Sequence, residues 1–151
     1  MNKLNKGMNQ NREMNQVNID EKSLLEVMID ASQKDTCWPG CVDQWRPENR
    51  PWGHCAMYAL EYDSALEEEG VTERSIAQCQ AVTPQGSFLH LVNIVSGKIM
   101  DMSGSQFKDG VSYEDVKPIT RDELLAWPDR EAERYALFHQ RVYELRKQRG
   151  I

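Results

Sequence analysis

No run of apolar residues in this chain approaches the length of a membrane span. The first residues are polar and lack the apolar core of a secretory signal. These two absences place the expected site of action in the cytoplasm, with no membrane as a partner. A basic excess is missing as well. The net charge is −6 and the pI about 5.1, which removes the positive footprint a general nucleic-acid binder needs, so no nucleic acid is expected as a partner. Cysteine is sparse, four in 151 residues, and a reducing compartment keeps such thiols free. No internal repeat is visible. No cofactor is expected, and the one arrangement that hints at a metal is poor. Cys37 and Cys41 flank Trp38-Pro39-Gly40, and the remaining ligands would be the adjacent His54 and Cys55. Structural zinc sites use two well-separated, short-spaced pairs, so the metal reading is a weak rival.

What is present fits one domain with enough chain to bury a core. Residues 1–19 read as a disordered tail: Met1 to Asn18 is rich in Asn, Gln, Met and charge without apolar periodicity. Residues 20–151 read as a single α+β domain, a small antiparallel sheet packed with helices. Asp20 caps a helix whose apolar face is Leu24, Leu25, Val27, Met28 and Ala31, ending near Ser32. Asp35 to Pro51 carries three prolines, Gly40 and two tryptophans. It is expected to lack regular structure yet stay ordered on the body. A helix runs from Cys55 to the Glu67–Glu69 run, closed by Gly70. Ser75–Thr83 and Phe88–Val95 read as strands, with Cys79 in the core. Ser96-Gly97 is a turn, and Lys98–Met102 returns as a strand. Thr120 and Glu123 form a capping box for a short helix to Trp127, and a last helix runs from Pro128-Asp129 to about Lys147.

The chain is organised around Trp52-Gly53-His54-Cys55-Ala56. An aromatic and a glycine lead into a cysteine at the start of a helix. There a thiolate gains from the helix dipole and from unpaired backbone N–H groups. Trp52, Gly53 and His54 are therefore candidates for the substrate cleft, Gly53 because it lets backbone or substrate approach closely. A nucleophilic cysteine needs a base, and the base needs an orienting group. With a two-residue turn at Ser96-Gly97, Val92 faces Asp101, and His90 shares a face with both. His90 and Asp101 become diagonal neighbours within bridging distance. An aspartate among Ile99, Met100 and Met102 is costly to bury without a partner, and His90 is an economical one. Cys55, His90 and Asp101 are thus the candidate catalytic residues. The backbone N–H of Cys55 and the side chain of Asn49, six residues upstream, are candidates for the oxyanion hole.

The segments Thr36-Cys37-Trp38-Pro39-Gly40, Asn49 to Leu60, His90-Leu91-Val92-Asn93 and Ile99 to Ser103 followed by Gln106-Phe107 resemble the bacterial YunG-like family. Its members show a Gly-Gln-Cys-Ala run, a His-Tyr-Trp-Asn-like strand and an Ile-Asp-Leu-Thr-like strand. The resemblance implies a reduced papain- or transglutaminase-type thiol fold with cysteine, histidine and aspartate in that order. Carried over, Cys55 is the nucleophile, His90 the base and Asp101 the orienter, while Asn49 matches the spacing of the oxyanion-hole glutamine of papain-like enzymes. His54 departs from the family's glutamine, and Leu91-Val92 replace two aromatics. The function expected is a cysteine hydrolase or acyltransferase (peptidase, amidase, deamidase or transglutaminase type) whose partner is an amide- or thioester-containing substrate, a protein among the options. The alternative is a non-catalytic binding protein on a degenerate fold of the same kind.

Overall fold

A computed structural model describes residues 19–151, and the tail expected over Met1–Asn18 lies outside the described residues. Ile19 packs against the core, so the domain takes in one residue that the sequence reading assigned to the tail. Helix α1 spans Glu21–Ala31. Its Asp20 cap accepts the Ser23 N–H at 3.1 Å, satisfying one of the donors that a helix start leaves free.

The segment expected to be irregular holds three short 3-10 turns, Lys34–Thr36, Pro39–Gln44 and Pro47–Asn49. Proline opens two of them, where its missing N–H is not needed and its fixed φ suits the turn. Gly53 has a φ of +76°, and a Cβ there would lie 2.4 Å from Cys37 Sγ. Its carbonyl accepts the Trp38 N–H at 2.8 Å. Only glycine lets this segment close onto the start of the next helix.

Helix α2, Cys55–Glu68, is the centre of the molecule, with ten of its fourteen residues buried. Helix α4, Glu131–Arg149, packs on it and on α1, while strands β1 (Arg74–Thr83) and β2 (Gly86–Val95) pack on it through the sheet. Tyr58 stacks on Phe138 with ring centres 5.7 Å apart and shares a 2.7 Å hydrogen bond with Ser32. From the sheet, Asn93 donates to the Ala59 carbonyl at 2.9 Å, and from the short helix Arg121–Leu125, Arg121 donates to the Leu60 carbonyl at 3.0 Å. Both bonds tie the middle of α2 to its neighbours, and the first satisfies the buried Asn93 amide.

With β3 (Lys98–Met100) and β4 (Ser112–Ile119), the sheet is antiparallel in the order β3-β2-β1-β4. Strand β3 is Lys98–Met100, shorter than the expected Lys98–Met102, because Asp101 turns its carboxylate back to the Ser103 N–H and hydroxyl, both at 3.1 Å. Strand β4, Ser112–Ile119, has no counterpart in the sequence reading. It is an exposed edge strand with Asp115 at φ +53° and Pro118 near its end, and such a strand carries no apolar alternation. Helix α3, Arg121–Leu125, keeps the Thr120–Glu123 capping box but stops two residues short of Trp127. Helix α4 begins at Glu131 rather than at Pro128-Asp129. Among the described residues, no helix is long and apolar enough to cross a membrane.

Candidate active site

Cys55 is the first residue of α2. Its own N–H therefore has no acceptor within the helix. Strand β3 pairs with β2 only from Asn93 to Val95, so the stretch of β2 that carries His90 is free on that side. His90 is buried, 3 % exposed, and its Nε2 lies 2.8 Å from Asp101 Oδ2. Cys55 lines the same cleft as His90 and lies close enough to act on the imidazole. With Nε2 engaged by the carboxylate, Nδ1 is the nitrogen left for the thiol. Thiol, imidazole and carboxylate thus stand in series, an arrangement in which a proton can leave sulfur for nitrogen while the carboxylate holds the resulting cation.

Burial alone would disfavour an imidazolium. The hydrogen bond to Asp101 and its negative charge, together with the nearby Cys55 sulfur, outweigh it and raise the His90 pKa to about 10. Burial likewise opposes the Asp101 carboxylate, but the bonds from His90, Tyr113 and Ser103 hold its pKa below the ordinary 3.8.

Tyr113 was not anticipated from sequence. It donates to Asp101 Oδ2 at 2.6 Å and lies parallel to the His90 ring, centres 6.2 Å apart. It reaches there from β4, across β1, because the residues between are small: Ala81 is its cross-strand partner and Cys79 that of His90. Phe107 meets the imidazole edge-on, ring centres 5.0 Å apart. Tyr113 sits in the strand that lacked a periodic signal. The pattern Ala77-x-Cys79-x-Ala81 was the trace it left, three small side chains on one face of a strand.

These groups open on a cleft of about 420 Å³ whose walls include Trp38, Trp52, Gly53, Phe88, Phe107 and Trp127, with Asp129, Glu131 and Arg134 at one end. Trp52 and Gly53 line it. His54 does not: it is fully buried beneath. Its Nδ1 donates to the Trp52 carbonyl at 3.1 Å, and its Nε2 accepts from the Thr36 hydroxyl at 2.8 Å. Burial, its largest influence, lowers its pKa to about 4, so it is a neutral post supporting the Cys55 turn. Asn49 is also off the cleft lining; its carbonyl accepts the Trp52 N–H at 3.1 Å in the preceding turn. A larger, shallower groove of about 660 Å³ lies between α1 and α4. It is lined by charged residues and bridged by Arg141 and Asp35 at 2.6 Å.

Cys37 and Cys79 are buried and Cys41 partly so, all as free thiols. Burial pushes Cys37 and Cys79 up to about 11 and raises Cys41 too. Among the described residues, no group of three or more His, Cys, Asp or Glu side chains is arranged to hold a metal ion.

Residues 20–147 match the family described as YunG protein, and the chain belongs to that family. No curated protein and no solved structure matches it.

Proposed function

We propose that the protein is a cysteine-dependent hydrolase or acyltransferase, built on a reduced papain- or transglutaminase-like fold and acting on an amide or thioester. The observation that carries this reading is His90, buried, hydrogen-bonded to Asp101 and sharing a cleft with Cys55, whose sulfur acts on the imidazole. In the proposed reaction His90 holds the proton that Cys55 has given up, and the resulting thiolate attacks the substrate carbonyl carbon. The carbonyl π electrons move to oxygen, where the Cys55 backbone N–H is a donor. As the intermediate collapses, the C–N or C–S bond to the leaving group breaks, and His90 returns its proton to that group. The thioester left on Cys55 is then attacked by water or an amine that His90 deprotonates, which frees the sulfur. Asp101 keeps the imidazole in the tautomer this cycle needs.

An activated ester tests the reading without knowledge of the natural substrate. Incubation with p-nitrophenyl butyrate should release nitrophenolate in a burst and leave a butyryl adduct that peptide mass spectrometry places on Cys55. Cys55→Ser should abolish the adduct, and His90→Ala should slow its formation by about 10²-fold or more, the usual worth of a general base. Adducts spread over all four cysteines, or centred on Cys79, would sink the proposal and favour the binding-protein reading.

A further inference from the structure

At one end of the cleft, the first turn of α4 carries a carboxylate that is only half used. Glu131 has a side chain 3 % exposed, and its Oε2 lies 3.3 Å from Arg134 Nη2. Its Oε1 is enclosed and meets no donor among the described residues. Arg134 cannot supply one by turning, because Nε is fixed on the Asp129 carbonyl and Nη1 on the Thr36 carbonyl, both at 3.1 Å. Acidic residues favour helix starts for the sake of the dipole, but Glu133 already serves that turn while exposed and paired with Arg130. The dipole accounts for an acid at Glu131 and not for its burial. A buried acceptor left unpaired is costly, and this one lies in the wall of an open cleft.

Charge and shape narrow what the missing donor is. Asp129 and Glu131 face a single guanidinium, so this end of the cleft carries an excess of negative charge. Asp129 is already in use, accepting from Trp38 Nε1 at 2.9 Å. The same cleft is lined by the aromatic side chains of Trp38 and Trp127, a residue type that suits an alkyl stem and attracts a cation.

We propose that this end of the cleft is a subsite for an alkylammonium group, such as a lysine side chain of the substrate, with Glu131 Oε1 accepting from the ammonium. The proposal deepens the hydrolase reading by naming a feature of its substrate, and it rests on the cleft being the substrate site.

The test is equilibrium binding to the full chain, monitored by nuclear magnetic resonance. N-acetyl-lysine methylamide should move the amide signals of Trp127 and Arg134 saturably. It should bind at least about tenfold more tightly than the uncharged N-acetyl-norleucine methylamide, the usual worth of a charge-assisted hydrogen bond. Glu131→Gln should remove most of that preference. Butylamine separates the sources of the ammonium: equal binding to the lysine derivative points to a free amine, weaker binding to a residue within a peptide, and either supports the subsite. Equal affinity of the lysine and norleucine compounds for the wild-type chain, or no saturable shift with either, overturns it whether or not the variant folds. Butyrylation of Cys55 in the same preparations reports separately on the thiol. A lysine preference beside an inert Cys55 would keep the subsite and remove the hydrolase.

Discussion

Asp101→Asn removes one charge while keeping the shape, and the local bonds fix the consequences. Asn can keep an oxygen at the Oδ1 position, where it still accepts from the Ser103 N–H and hydroxyl. An NH2 group then replaces Oδ2, facing Tyr113 and His90. The Tyr113 hydroxyl can rotate and accept. His90 Nε2 can accept from the new donor only by giving up its proton, which leaves the hydrogen on Nδ1, facing Cys55. The base is then neutral, in the wrong tautomer, and no longer aimed at the thiol. Burial, which the Asp101 anion had helped to outweigh, now pulls the His90 pKa down.

In the wild type, His90 rises from an ordinary 6.5 to about 10. A pKa raised by folding contributes stability that is fully present below pH 6.5 and is lost as pH climbs through 10. Its upper limit is ~5 kcal/mol at about 1.4 kcal/mol per tenfold change in proton affinity. We expect Asp101→Asn to lose roughly 2–3 kcal/mol at pH 6, the usual worth of bonds to a charged group, and almost nothing at pH 10. Urea unfolding at several pH values reads this directly, and Cys55 acylation at pH 7 should fall by about 10²-fold or more. A variant that unfolds with the same pH dependence as the wild type, and acylates at the same rate, would refute the coupling of the three residues.

Tyr113→Phe should cost about 1–2 kcal/mol by leaving a buried carboxylate oxygen with one donor fewer. It should also shift the pH dependence of Cys55 acylation, which a mere packing residue would not move. Gly53→Ala places a methyl group into Cys37 Sγ at positive φ, and the combined strain of roughly 2–5 kcal/mol should lower the melting temperature by about 5–15 °C; a change within 2 °C or so, roughly the noise expected for a surface substitution, would count against the tight turn. The three histidines should titrate apart in imidazole proton spectra. His90 should stay protonated past pH 8 and His54 neutral down to about pH 5, with His139 above its ordinary 6.5 because of its 2.8 Å bond to Glu61; three coincident titrations near the ordinary value would contradict the environments described.

The hairpin was legible because a two-residue turn leaves no freedom. Once Ser96-Gly97 is the turn, Val95 must face Lys98, the pairing observed, and parity then places His90 and Asp101 on one face. The starts of α1, α2 and α3 were legible through capping side chains and a change to helical period. The start of α4 was not, because Arg130, in left-handed conformation, carries no signal of that role. Strand β4 escaped because both of its faces are largely exposed and neither is marked by burial. Its loss hid Tyr113. The role of His54 escaped for another reason. A polar residue beside a candidate nucleophile reads as part of the chemistry, and only the bonds to Thr36 and Trp52 show it turned inward.

The contrast between His54 and His90 argues for chemistry at one of them and support at the other. Both are buried in one small domain, and burial pushes both toward the neutral form. His54 meets a backbone carbonyl and a hydroxyl; the carbonyl opposes that push but burial outweighs it, so its pKa falls to about 4 and its proton stays put across the physiological range. A residue so fixed can hold a turn and cannot shuttle a proton. His90 meets a carboxylate and a sulfur, and its pKa rises to about 10. Were support the only demand at that position, a neutral residue on neutral partners would meet it, as His54 shows, without an aspartate drawn out of a strand and held by three further donors. Stabilising a buried cation is costly unless it is fully paired. The groups that pair it here are an aspartate, a tyrosine that crosses an entire strand to reach that aspartate, and the cysteine at the end of a helix. The same cation is what a departing Cys55 proton would create, and this is the sense in which the packing of the sheet is arranged around the thiol.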